Sequence, residues 1–400
     1  MVKVILSMLS LITLAGCNMT TSSNNQANSF TAIKVASFNV SMDASNYVGR
    51  DMSKANNQVL RNQLKNNNQQ IKNISEIIQR TRPDIILLNE FDYIDDPSQG
   101  IERFIKQYLN VAQHPSVNAI DYPYYYYAPV NTGKPSPYDL TGDGKATGKQ
   151  GDAWGFGFFE GQYGMVLLSK YPIDVNAIRT FQHFKWKDMP NALRPINPAT
   201  GEFFYNDEVW QQFPLSSKSH WDIPVDINGK TIHILASHPT PPVFDGPEDR
   251  NGKRNHDEVR FWHDYISPQQ ADYIYDDQGV FGGLADKQRF IIMGDQNASK
   301  DEGNSLKEAI TALLTNPLVN DAKIPQSIGA SQNKQANPIA KFHTAYWGIR
   351  ADYVLPSQYG LEVLANGVFW PQKNQETYRL IKDRKASSDH RLVWSELTVK

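Results

Sequence analysis

The sequence predicts an α/β fold, and three observations carry the prediction. Unbroken apolar runs of strand length, at residues 85–88 and 290–293, are the pattern of strands buried on both faces. Between the first two strand-like runs, Leu60, Leu64, Ile71, Ile74, Ile77 and Ile78 recur near helical spacing. Several apolar runs stop abruptly on a carboxylate, an amide or a histidine, and α/β sheets bind ligands at that edge.

The chain has 400 residues, 40% hydrophobic and 20% charged, enough for a sizeable core. Its net charge of −2 argues against a protein that grips nucleic acid mainly through a general basic surface, and leaves a local basic groove open. Residues 1–16 combine Lys3 with the apolar run 4–15, the layout of a secretory signal, and the run is too short to read as a spanning helix. The run ends in Leu14-Ala15-Gly16-Cys17, which resembles a bacterial lipoprotein signal, with Cys17, the only cysteine, as the lipidated residue. Ordinary cleavage and secretion is the other reading. Asn18, in place of Asp, resembles lipoproteins of the outer membrane, so the expected location is the cell envelope. Residues 17–30 are Ser, Thr, Asn and Gln with almost nothing to bury, a flexible tether. A single domain is expected over 31–400, without internal repeat or clean linker.

In order, the run 33–40 alternates as a strand does and delivers Asn39. A helix is expected from 56 to 82, ended by Pro83. The second strand, 84–90, finishes on Glu90, which reads either as a cap for the next element or as a cation ligand. Residues 122–161 read as an irregular insertion. Within it Asp139, Thr141 and Asp143 alternate, with Gly144 in sixth place, as in a calcium loop. Gln150 stands where such loops carry Glu, which favours a solvated loop over structural Ca²⁺. Residues 164–173 form a third strand stopped by Pro172. Residues 218–225 and 231–238 pair around Asn228-Gly229, and the second run ends on His238. Residues 239–257 read as a long loop holding Arg250, Lys253, Arg254 and His256, before a helix with Val259, Trp262 and Ile266 on one face. The run 290–293 leads into Gly294-Asp295-Gln296-Asn297, Asp352 opens a later strand, and Asp389-His390 precede the last.

Asn39, Glu90, His238, Asp295, Asn297, Asp352, Asp389 and His390 thus fall at or beside strand ends. Carboxylates and amides without cysteine suit a hard cation such as Mg²⁺, Mn²⁺ or Ca²⁺. Two histidines without tight spacing look like acid–base or phosphate-contacting groups more than zinc ligands. Hard cation, His and Asp together are equipment for hydrolysing a phosphate ester.

The ordered set Ser37-Phe38-Asn39-Val40, 84–90, 164–173, Ser237-His238, Gly294-Asp295-Gln296-Asn297, 352–355 and Ser388-Asp389-His390 resembles the endonuclease/exonuclease/phosphatase superfamily, whose members include deoxyribonuclease I. The resemblance implies a four-layer α/β sandwich of two packed mixed sheets flanked by helices. It implies Mg²⁺ or Mn²⁺ held by Glu90 with Asn39 and Asp389, and water positioned and activated by Asp295 and Asn297. It also implies that His390, oriented by Asp352, contacts the phosphate, and that His238 acts near the leaving group. Abasic-site endonucleases carry a second acidic residue two positions after the asparagine, where this chain has Ser41. Their catalytic tyrosine falls near Gln162, beside Tyr163, and Gln296 replaces a commoner aromatic or aliphatic residue. The expected activity is hydrolysis of a phosphodiester or phosphomonoester outside the cytoplasm, with no obligate protein partner. The alternatives are an extracellular nuclease that scavenges nucleic acid and a non-catalytic binding module on the same fold.

Overall fold

Two mixed β-sheets pack face to face in a computed structural model that describes residues 31–400. Cys17, the signal at 1–16 and the tether at 17–30 lie outside the described residues. The strands are β1 (Thr31–Met42), β2 (Ile85–Phe91), β3 (Tyr124–Tyr126), β4 (Met165–Ser169), β5 (Arg179–Thr180), β6 (His220–Ile227), β7 (Lys230–Ser237), β8 (Arg289–Asp295), β9 (Asp352–Pro356), β10 (Leu361–Val368) and β11 (Val393–Val399). One sheet has the order β10-β11-β1-β2-β4-β3 and the other β5-β6-β7-β8-β9. β1 runs parallel to β2, and β7 parallel to β8, so each sheet brings two strand C-termini to one edge.

Period-two alternation explains the layers. On β8, Ile291 and Met293 join Val35, Leu87 and Trp221 in the core between the sheets. Phe290 and Ile292 face the other way, into a second core with Val259, Phe261 and Trp262 of the helix Arg250–Tyr265 and Ile310 and Leu313 of the helix Lys307–Thr315. Ile71, Ile74, Ile77 and Ile78 of the helix Gln69–Thr81 pack on the first sheet. The architecture is therefore helix, sheet, sheet, helix, the four-layer sandwich.

Three local expectations are corrected. The helix expected over 56–82 is two, Val59–Lys65 and Gln69–Thr81, because Asn67 adopts φ 54° and the Asn68 side chain caps the second at Gln70 N. The loop expected to reach residue 257 ends at Asp249: the helix starts at Arg250, where the Asp245 carboxylate accepts from Asn251 N at 2.7 Å. The insertion at 122–161 contains regular structure, since Tyr124–Tyr126 forms an edge strand on β4. The hairpin of β6 and β7 turns at Asn228 (φ 54°) and Gly229 (φ 83°), the pair of left-handed residues that a two-residue turn of this hand requires.

Candidate active site

The site is built where β1, β2, β7 and β8 end and β9 begins. β8 approaches β7 closely at Gly294, which has φ 136°. A Cβ there would lie 2.0 Å from the Ser237 carbonyl oxygen, so only glycine lets the strand pass. Asp295 then stands opposite Asp352 across the β8–β9 pair. Two asparagines tie the sheets together at this point. Asn39 Nδ2 donates to Asp295 Oδ2 at 3.1 Å, while Asn89 Oδ1 accepts from Asp295 N at 3.2 Å and Asn89 Nδ2 donates to the Ser237 carbonyl at 3.3 Å.

Asp295 Oδ2 is also 3.5 Å from His238 Nε2 and 3.5 Å from His390 Nε2. Its other oxygen accepts from Asn297 N at 3.0 Å, and Asn297 Nδ2 donates to the Pro239 carbonyl at 3.2 Å. Burial pushes the Asp295 carboxyl up to about 6, against the opposing charge of His390 and the Asn39 hydrogen bond. His390 Nδ1 donates to Asp352 Oδ2 at 2.8 Å, and Thr344 Oγ1 donates to the same oxygen at 2.7 Å. Burial works against charge on the His390 ring, yet Asp352 and Asp295 outweigh it and hold the ring up to about 10. His238 is driven the other way, well below the usual histidine range, by burial and by the positive charges of Lys218 and His390. Trp347, 46% exposed, stands edge-on to His390 with ring centroids 4.9 Å apart.

Glu90 follows Asn89 near the end of β2 in a left-handed conformation, φ 57°. Burial and the neighbouring charges of Asp43 and Asp389 push its carboxyl up to about 7, and a hydrogen bond from Asn39 counters them. Asp389 accepts from Ser41 Oγ at 3.2 Å and lies 3.6 Å from Arg384. This oxygen-only set, whose carboxylates repel one another, fits a hard divalent cation. A second group could also hold a metal: ligand atoms of Asp295, Asp352 and His390 lie within 4.8 Å of one another. There the His390 ring is paired with Asp352, whereas at the Glu90 end Asp389 is paired with Arg384.

Asp139, Thr141 and Asp143 stand apart from these residues. The Asp139 carboxylate accepts from Thr141 N, Gly142 N and Asp143 N on one oxygen and from Gly144 N on the other. Both oxygens of Asp152 are likewise occupied, by Leu140 N, Thr141 N and Thr147. The loop is ordered by its own N–H groups.

Sequence reasoning missed Asn89, Asp43, Lys218 and Trp347. Asn89 sits inside the polar end of an apolar run next to Glu90 and gave no separate signal. Lys218 is buried, and the charges of Glu258, Glu90 and Asp295 act on it. Tyr163, adjacent to the position of the family's tyrosine, hydrogen-bonds Ser45 Oγ at 2.9 Å. Gln296 has a packing role: it is fully buried, its Nε2 donates to Ser237 Oγ at 3.1 Å, and its backbone bonds Ala351 and Asn255.

A profile of the Endonuclease/Exonuclease/phosphatase family matches residues 36–390. No curated protein matches the sequence at a significant level. Among solved structures the chain is similar to an endonuclease/exonuclease/phosphatase from Beutenbergia cavernae DSM 12333, at 17% identity over 92% of this chain and 72% of that one, with TM-score 0.49. It is similar to a beta toxin mutant from Staphylococcus aureus with bound magnesium ions, at 15% identity over 92% and 100%, with TM-score 0.46. It is also similar to the human Nocturnin catalytic domain with bound sulfate anion, at 14% identity over 92% and 95%, with TM-score 0.44.

Proposed function

The chain belongs to the endonuclease/exonuclease/phosphatase family, hydrolases acting on phosphate esters, and we propose that it is a cation-dependent phosphoesterase working outside the cytoplasm. The observation that carries the reading is the convergence on Asp295 Oδ2 of Asn39, His238 and His390, each delivered by a different strand end. A carboxylate pushed up to about 6 by burial is a base poised near neutral pH, able to take a proton from a water on phosphorus. Asn39 and Asn297 fix its two oxygens. His390, held as imidazolium by Asp352, presents Nε2–H toward a non-bridging phosphate oxygen, where charge grows in the transition state. His238 stands near the leaving oxygen. Neutral in the free site, it gains affinity for a proton once a phosphate's negative charge arrives.

Glu90, Asn39 and Asp389 would hold Mg²⁺ or Mn²⁺. When bound, such an ion supplies positive charge to the phosphate oxygens. Against a non-catalytic module stands the cost of holding several buried carboxylates and histidines together without a chemical use. The Leu14-Ala15-Gly16-Cys17 signal supports attachment to the bacterial envelope through lipid on Cys17.

The test is a substrate panel of plasmid DNA, RNA, sphingomyelin, inositol phosphates, nucleotides and a bis-aryl phosphate, each with Mg²⁺ or Mn²⁺. Hydrolysis of at least one, stopped by EDTA, is the expected result. Preference for plasmid DNA and RNA would select the nuclease reading, and no hydrolysis of any member contradicts the proposal.

A further inference from the structure

A buried carboxylate oxygen stands at the Glu90 end of the site with nothing to bind it. The pairing of β1 with β2 shifts register between Asn39 and Met42, where Ser41 takes φ 45°. This irregularity redirects the chain and places Asp43 as the cap of the short helix Ala44–Tyr47. One Asp43 oxygen, Oδ1, serves that cap, accepting from Ser45 N at 2.9 Å and from the Ser45 hydroxyl. The other, Oδ2, is buried and meets no donor in hydrogen-bond geometry, in a residue only 1% exposed; the nearby Gln162 amide donates to Ser45 Oγ at 2.8 Å instead.

The neighbouring acidic residues are accounted for differently. Asp92 spends both oxygens on backbone, Oδ1 on Tyr163 N at 3.0 Å and Oδ2 on Ala44 N at 2.7 Å. Asp389 accepts from Ser41 Oγ and faces Arg384. Arg384 pairs with Asp389 at 3.6 Å, half-exposed, and its charge reaches Asp43 and Glu90 without a direct ion pair to either. Met42 pairs with Phe91 in the β1–β2 register and its carbonyl accepts from Asp92 N at 3.3 Å, which sets Asp43 at the end of β2 that carries Glu90. A buried carboxylate oxygen left bare beside a second carboxylate is costly, and the cost is removed by a cation between them.

We propose that Asp43 is a ligand of the divalent cation, its Oδ2 supplying the second acidic oxygen beside Glu90 that Ser41, two residues after Asn39, cannot. The inference rests on the cation-dependent reading given above. It predicts that this chain recruits its ligand from the start of the helix after β1, through the left-handed turn at Ser41.

Mn²⁺ binding to the full chain in detergent, read from the electron paramagnetic resonance of free Mn²⁺, tests it in wild type, Asp43→Asn, Asp43→Ser and Glu90→Gln. Asn and Ser cap helices as Asp does, so both Asp43 variants keep the Ser45 contact while losing the charge. Their melting temperatures in EDTA should equal or exceed wild type. The expected loss of Mn²⁺ affinity in both is at least about tenfold, the low end of what removing even an outer-shell partner costs. Asp43 variants that bind within about twofold of wild type, while Glu90→Gln is impaired, would overturn the inference and leave the cation-dependent reading standing. A wild-type chain that binds no Mn²⁺ would overturn both.

Discussion

Asn39, at the end of β1, donates to Asp295 Oδ2, at the end of β8, across the gap between the two sheets at 3.1 Å. The two residues are 256 positions apart in sequence, and neither sheet alone contains the site. Packing of the inner faces therefore does chemical work as well as structural work. It sets the distance between Asp295 on one sheet, the proposed base, and Glu90 on the other, the proposed cation ligand.

Asp352→Asn should separate orientation from charge at His390. The wild-type ring is held up to about 10, so the alkaline limb of the rate profile is expected near that pH. Without the Asp352 carboxylate the limb should fall toward the ordinary histidine value of about 6.5, and kcat by about 10²–10⁴. In stability terms, a histidine with a raised folded pKa contributes fully below about 6.5, and the contribution fades as pH climbs through about 10. A pH–rate profile unchanged in shape would remove Asp352 from this role.

Glu90→Gln should stabilise the cation-free protein at alkaline pH. Here the folded carboxyl is raised from 4.5 to about 7, so its charge costs nothing below about 4.5 and its full penalty above about 7. The variant should gain on the order of 1–3 kcal/mol at pH 8 in EDTA and nothing near pH 4, measured by denaturant unfolding. Equal stability at both pH values would show that Glu90 is not strained by its neighbours.

Gly294→Ala should destabilise the fold whatever the substrate. At φ 136° an alanine is strained, and its Cβ would meet the Ser237 carbonyl oxygen at 2.0 Å. A loss of at least about 1–3 kcal/mol is expected, with the clash adding to it. Wild-type stability would mean that β7 and β8 can separate at this point.

Strand ends were legible because an apolar run that stops on Asp, Glu, Asn or His is a strong local signal, and so the sequence alone places Asn39, Glu90, His238 and Asp295 at sheet edges. Asp43 was silent because its position depends on the left-handed Ser41 and a register shift, neither of which leaves a periodic trace. The break at Asn67 was hidden for a similar reason. Helical spacing continues through it, and only the αL conformation of one Asn and the capping role of the next reveal two helices. At the early start of the helix at Arg250 the N-cap residue Asp249 makes no capping bond, and the Asn251 N–H is met instead by Asp245, six residues back and beyond the span of the usual capping signatures. Gln296 read as an oddity in sequence because its partners, Ser237, Ala351 and Asn255, come from three separate segments.

The central claim is that Asp295 acts as the base in cation-dependent cleavage of a phosphate ester, and one comparison addresses it directly. Bis-aryl phosphate hydrolysis is followed for wild type and Asp295→Ala, each with Mg²⁺ and again after EDTA. Wild type should turn over with Mg²⁺ and stop with EDTA, and Asp295→Ala should be slower by about 10²–10⁴ in kcat with its fold intact. Turnover that survives EDTA, or an Asp295→Ala variant as fast as wild type, would contradict the account.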